Sequence, residues 1–233
     1  MNPQPRTPNP GPRTPVRLLV QSDFDDTVTV GNVSTMVREK FAPALWRDME
    51  REYLEGKYSV EESNIRQFAL IHGVERSELE DFVRRNVRVR DGFAGFVEHC
   101  RAEGIGFVVV SSGLDLYIRP VLEQAGLGGV PFHSGHAEVR EQGIAVTYAG
   151  PGGTPLTAGI KESYVRHHKR QGHTVFYLGD GLSDVVPAKE ADVVLARSSL
   201  RRRLIARDRP HFPFEDFHDA RRHLDAVRQR LGR

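Results

Sequence analysis

Val16-Arg17-Leu18-Leu19-Val20-Gln21-Ser22-Asp23-Phe24-Asp25-Asp26-Thr27 is the stretch on which the reading of this chain turns. Val16 to Gln21 is a short apolar run that ends at an acidic cluster. Such a run reads as a buried strand delivering side chains at its C-terminal end. Asp23 and Asp25 then stand two apart just beyond it. Carboxylates so placed can bind a divalent cation, or divide nucleophile and acid–base roles. A polar turn after a strand, where Asp is common, is the other reading.

Working outward, the same design recurs. Gly106 to Val110 ends at Ser111-Ser112-Gly113, and Thr174 to Leu178 ends at Gly179-Asp180-Gly181. Val193 to Ala196 is a shorter fourth run. Helical patterns alternate with these strands at Phe93–Arg101, Leu114–Gln124, Lys161–Arg170, Ser183–Glu190 and Glu215–Leu231. The alternation predicts an α/β fold with a doubly wound, Rossmann-like parallel sheet. Ligands of such sheets bind beyond the carboxyl ends of the strands, where all three polar clusters fall.

The chain between the first two strands is too long for a simple crossover. It is periodic instead. Val33, Met36, Val37 and Phe41 mark one amphipathic helix, and Leu45, Met49 and Tyr53 a second. Ser59-Val60-Glu61-Glu62 is a capping-box signature opening a third, with Phe68 and Ile71 on its apolar face. Leu79, Phe82 and Val83 mark a fourth. Residues 32–88 are therefore expected to form an inserted helical cap, with 16–31 and 89–233 as the α/β core. A smaller insert after Val130 reads as a β-hairpin around Gly143, followed by a Pro151-Gly152-Gly153 loop.

The 233 residues are 39% hydrophobic and 27% charged, enough for one core with a smaller insert. A net charge of +2 sums balanced charges and argues for neither nucleic acid nor a membrane surface. Residues 1–15 carry Pro at 3, 5, 8, 10, 12 and 15 and are expected to be a disordered tail. They lack the apolar core of a signal peptide, and no later run spans a bilayer, so the expected location is the cytoplasm. A single cysteine, Cys100, fits a reducing compartment and shares a helical face with Phe93, Phe96 and Val97.

The polar clusters carry the chemistry. Ser111 and the amides of Ser112 and Gly113 can cradle phosphate oxygens; a helix N-cap is the alternative role for Ser111. Lys161 opens a predicted helix against the dipole, which is tolerable if it faces a phosphate; a solvated surface Lys is the alternative. Two glycines flank Asp180 and suggest close approach of backbone to a ligand. Asp184 follows four residues later, and can also be an ordinary first-turn helix acid. His133, His136, His167 and His168 show no metal-ligand spacing and read as solvated.

In this order, DxDxT, a strand ending in Ser, Lys, and GDGxxD resemble the four motifs of the haloacid dehalogenase superfamily. The helical insert resembles the cap of its phosphoserine-phosphatase-like subgroup. The resemblance implies a Mg²⁺-dependent phosphatase acting on a small phosphorylated metabolite. It assigns Asp23 as the nucleophile that becomes aspartyl-phosphate, and Asp25 as general acid and then base. It implies Mg²⁺ held by the Asp23 carboxylate, the Asp25 backbone carbonyl and Asp180. Ser111, Ser112, Gly113 and Lys161 would bind phosphate, and Asp184 would orient Lys161 or a water.

Phosphoserine phosphatases place an acid in the first turn of the cap, and the comparable position here is Asn32. Phe41-Ala42-Pro43-Ala44-Leu45-Trp46, Arg90-Asp91-Gly92-Phe93, Ala188-Lys189-Glu190-Ala191-Asp192 and His211-Phe212-Pro213 instead resemble the methionine-salvage branch. Its enzymes dephosphorylate 2-hydroxy-3-keto-5-methylthiopentenyl-1-phosphate. Arg66 on the insert is a candidate second substrate contact. A phosphoserine- or phosphocholine-type phosphatase, a phosphotransferase and a non-catalytic phospho-ligand binder are the competing functions. A signalling receiver domain fails on motif order.

Overall fold

A computed structural model describes residues 16–231; the expected disordered tail, residues 1–15, lies outside the described residues. The strands are β1 (Arg17–Ser22), β2 (Gly106–Leu114), β3 (Phe132–Arg140), β4 (Gly143–Ala149), β5 (Pro155–Leu156), β6 (His173–Gly179), β7 (Val193–Ala196) and β8 (Phe212–Pro213). The helices are α1 (Val33–Phe41), α2 (Trp46–Leu54), α3 (Val60–Phe68), α4 (Arg76–Asn86), α5 (Phe93–Ala102), α6 (Asp115–Gln124), α7 (Ile160–Arg170), α8 (Val185–Glu190), α9 (Ser198–Ile205) and α10 (Phe217–Leu231).

One sheet runs β5-β4-β3-β2-β1-β6-β7-β8. β1 pairs in parallel with both β2 and β6, and β3, β7 and β8 extend the parallel array. The chain therefore leaves β1 to one side and later returns to its other side, which makes the carboxyl end of β1 a topological switch point. Side-chain alternation covers both faces. Val175 and Tyr177 of β6 enter one core with α7 and α9, while Phe176 and Leu178 enter the other with Phe93, Phe96 and Phe217. The sheet is doubly wound, as the run-and-helix alternation predicted. Cys100 lies buried in the larger core.

α1 to α4 lie between β1 and β2, where the periodicity placed them. Asn32 caps α1 by accepting the Thr35 amide at 2.8 Å, and Ser59 caps α3 by accepting the Glu62 amide at 3.0 Å. Of the expected apolar face of α2, Met49 and Tyr53 are half-buried, but its first position is off by one residue. Leu45 is exposed and Trp46 is the buried residue, with the Arg38 guanidinium 5.1 Å from the centroid of its ring. A shift of one residue turns a helix face by about 100°, so the larger indole takes the inward place.

The hairpin is longer than expected and is no separate appendage. β3 starts at Phe132 and pairs in parallel with β2 before turning antiparallel to β4. The Pro151-Gly152-Gly153 loop forms a short 3₁₀ turn. Sequence periodicity missed α9 and β8 altogether. Among the described residues, no helix is long and apolar enough to cross a membrane.

Candidate active site

The site forms where β1, β2 and β6 end. Asp23 follows β1, and its amide donates to the Leu178 carbonyl of β6 at 2.9 Å. Arg90 holds the turn that follows: its guanidinium donates to the carbonyls of Asp26 (2.8 Å), Thr27 (2.9 Å) and Thr29 (2.8 Å). Arg197 also donates to the Asp26 carbonyl. The turn needs this support, because Asp26 adopts φ 58°, an uncommon conformation for a residue with a side chain.

Lys161, in the first turn of α7, reaches three partners. Its Nζ lies 2.8 Å from Asp23 Oδ1, 2.6 Å from Asp184 Oδ1 and 2.9 Å from Ser183 Oγ. Burial alone would lower the lysine pKa, but Asp184 and Asp23 hold it above the ordinary value, so it stays charged. Asp184 is fully buried and takes four donors. Tyr177 and Lys161 reach Oδ1, each at 2.6 Å, and the Asp180 and Gly181 amides reach Oδ2 at 2.9 and 2.8 Å. Its carboxylate caps no helix, which removes the first-turn-acid reading. Ser111 is no helix cap either: it lies within β2, and its hydroxyl accepts the Gly113 amide at 2.9 Å.

Asp25 Oδ1 accepts the amides of Val33 (2.7 Å) and Ser34 (3.3 Å), and Oδ2 accepts the Tyr117 hydroxyl at 2.9 Å. Burial raises the Asp25 pKa above the usual carboxylate range, against the pull of those donors. Asp23 rises well above that range, through burial first and Asp184 second, with Lys161 opposing. Burial, then Asp184 and Asp26, push Asp180 up to about 7.

Asp23, Asp25, Ser111, Ser112, Gly113, Lys161 and Asp180 line one cavity of about 380 Å³. Asp184 lies beneath it. Carboxylate oxygens of Asp23, Asp180 and Asp184 come within 4.8 Å of one another. All the ligand atoms offered are carboxylate oxygens, a set that suits a hard divalent cation. Asp184 spends both oxygens on protein donors, which leaves Asp23 and Asp180 as the carboxylates free to take the ion.

Several residues of the site were invisible to motif reading. Arg38, Asn64 and Glu50 line the cavity from α1, α3 and α2, and Ser199 and Arg203 from the unforeseen α9. None of them stands in a short local motif. Arg66 is not among the lining residues: it pairs with Glu62 at 2.5 Å and sits over the Tyr58 ring. The histidines depart from expectation in part. His168 has buried ring nitrogens, and burial, with His167, His173 and His133 adding to it, lowers its pKa to about 4. His136 is exposed and pairs with Asp115 at 2.8 Å.

A doubly wound sheet with paired acids after its central strand, a buried lysine and a helical insert over the strand ends defines a class of phosphoryl-transfer hydrolase. The family model for haloacid dehalogenase-like hydrolases matches residues 20–188, and the chain belongs to that family, among its phosphatases. The 2-hydroxy-3-keto-5-methylthiopentenyl-1-phosphate phosphatase of Brevibacillus brevis is 32% identical over 218 residues, covering 92% of this chain and 98% of that protein. The protein of the same name from Bacillus velezensis is 31% identical, covering 92% of each. Among solved structures, a substrate-bound phosphoserine phosphatase complex superposes with a TM-score of 0.67 at 15% identity, over 90% of this chain and 99% of that one. That likeness speaks for the fold.

Proposed function

We propose that this chain is a cytoplasmic, Mg²⁺-dependent phosphatase that hydrolyses a small phosphomonoester through a phosphorylated Asp23, with residues 32–88 as its cap. The observation that carries the proposal is the Asp23 carboxylate on the cavity floor, 2.8 Å from the Lys161 ammonium, with the Asp25 carboxyl lining the same cavity.

Asp23 attacks phosphorus, the ester P–O bond breaks, and Asp25 gives its proton to the departing oxygen. Water then attacks phosphorus of the aspartyl-phosphate, Asp25 takes a proton from it, and the Asp23–phosphorus link breaks to release inorganic phosphate. Burial, which raises Asp25, suits it to hold a proton for the first step. Lys161, the Ser111 hydroxyl and the Ser112 amide face the charge spread over the transferring group, and the Gly113 amide, spent on the Ser111 oxygen, leaves that hydroxyl's proton to donate. Mg²⁺, held by the Asp23 and Asp180 carboxylates and the Asp25 carbonyl, would offset the repulsion between an anionic nucleophile and an anionic ester.

For the substrate, the relatives named above support a methylthio-ketone 1-phosphate. The cavity supports it too. Arg38, Glu50 and Asn32 offer polar contacts, and Tyr53, Leu54 and Val60 an apolar wall, which together suit an oxygenated chain ending in a thioether. Asn32 spends its side-chain oxygen on the Thr35 amide, so it does not replace the acid of an ammonium-binding cap.

The test is phosphate release from 2-hydroxy-3-keto-5-methylthiopentenyl-1-phosphate and from p-nitrophenyl phosphate. Both activities should need Mg²⁺, stop with EDTA and vanish in Asp23→Asn. Turnover that survives in Asp23→Asn, from preparations free of other phosphatases, would overturn the nucleophile.

A further inference from the structure

One buried carboxylate beside the site takes no part in the chemistry above. Glu61, in the first turn of α3, is 2% exposed and is not among the residues lining the cavity. Its Oε1 accepts the amides of Gly159 and Ile160, each at 3.1 Å, from the two residues that precede Lys161. The same oxygen lies 3.4 Å from the donating hydroxyl of Ser112. Three residues further along the same helix face, Asn64 Nδ2 donates to the Ser112 carbonyl at 2.8 Å, and the Tyr148 hydroxyl donates there at 2.6 Å. One turn of an insert helix thus grips the phosphate-loop residue Ser112 at its side chain and its carbonyl. It also grips the start of the helix that carries Lys161.

We propose that Glu61 is a positioning residue, a staple by which α3 holds Ser112 and the Lys161 helix in register for the phosphoryl group. The proposal rests on the phosphatase function above. The amides at the start of α7 have no partner within their own helix, and an anion is favoured there. Ile160 is fully buried, so its amide has no water to turn to if Glu61 is lost. Gly159 sits at φ 78°, a left-handed conformation that glycine adopts without strain at the entry to the helix. Glu61 can stand near a phosphate dianion because two backbone amides and a hydroxyl consume its charge. What the acceptor contributes is placement: the Ser112 amide and the Lys161 ammonium must converge on one group, and small displacements are costly in rate.

Steady-state kinetics with p-nitrophenyl phosphate, together with inhibition by orthovanadate as a mimic of the transferring phosphoryl group, test the staple. Glu61→Ala should lower kcat roughly tenfold or more with KM little changed, since it removes the hydrogen bonds to one buried and one half-buried amide. It should weaken vanadate inhibition by a similar factor. Glu61→Gln keeps the acceptor oxygen and should stay within about threefold of wild type on both readouts. Arg66→Ala breaks the exposed pair with Glu62 on the same helix, away from the cavity and from α7, and should leave vanadate inhibition unmoved. If Glu61→Ala does not fold, Asn64→Ala, which frees the other end of Ser112, should give the same loss in kcat and vanadate inhibition. Full kcat and vanadate inhibition in Glu61→Ala, or in Asn64→Ala where that variant stands in, would overturn the staple, as would Glu61→Gln as impaired as Glu61→Ala. A wild-type protein inert toward every phosphate ester would sink the phosphatase function instead, so the two failures are distinct.

Discussion

Asp25 receives three donors from two directions, two amides that open α1 and one phenol from α6. The phenol is kept protonated: burial, and then Asp25 itself, raise the Tyr117 pKa well above its ordinary value. Tyr117 therefore acts as a fixed donor that holds one oxygen of the acid–base residue. Its nearness also explains Gly113, where an added Cβ would overlap the Tyr117 hydroxyl. Tyr117→Phe should cut kcat by about tenfold, the worth of a buried hydrogen bond to a charged group. Single-turnover and steady-state rates measured side by side check it, and an unchanged kcat would remove Tyr117 from the site. The acids and Lys161 were legible because each follows a strand or opens a helix within a short local motif. Glu61, Asn64 and Tyr117 were not, because their partners in the core lie 48 to 99 residues away, joined only by the fold.

Among the elements, β1, β2 and β6 could be read because a strand buried on both faces is a continuous apolar run. α9 could not. Its Ser-Ser-Leu-Arg-Arg-Arg-Leu-Ile stretch buries Leu200 and Leu204 alone, and no side chain caps its start. β8 is two residues long and has no periodicity to detect. Gly143 was legible as a turn but not as a contact. It adopts φ 124°, and an added Cβ would overlap the Ala69 carbonyl oxygen just past α3. The β3–β4 hairpin and the insert thus meet backbone to backbone. Gly143→Ala should destabilise the fold by about 1–3 kcal/mol through overpacking, with further strain from the positive φ. Urea denaturation would show this as a lower midpoint; an unchanged midpoint would mean that the hairpin moves aside freely.

At the scale of the molecule, stability should respond to pH through His168. Its folded pKa, about 4, lies below the ordinary value of 6.5. Between those limits the unfolded chain binds a proton that the folded chain refuses, so the contribution of His168, present above pH 6.5, is lost as pH falls toward 4, against the opposite contribution of Asp180, whose pKa is pushed up to about 7. His168→Leu should flatten that decline, measured as Tm in steps from pH 7 to pH 4.5. An identical slope in the variant would show that the titration lies elsewhere. Helices on both faces of the sheet were foreseen from alternating strands and helices, though the sequence suggested one core and the sheet parts two. The staple between insert and core was not, since polar residues that become buried leave no apolar signature.

The shortness of the two outermost strands has a consequence for how this protein behaves in concentrated solution. The eight-stranded sheet ends in β5 on one side and β8 on the other, each two residues long and each containing a proline, Pro155 and Pro213. Proline supplies no N–H to a neighbouring strand, and two residues present almost no open ladder. These two outermost strands therefore offer a second copy almost nothing on which to add a strand of its own.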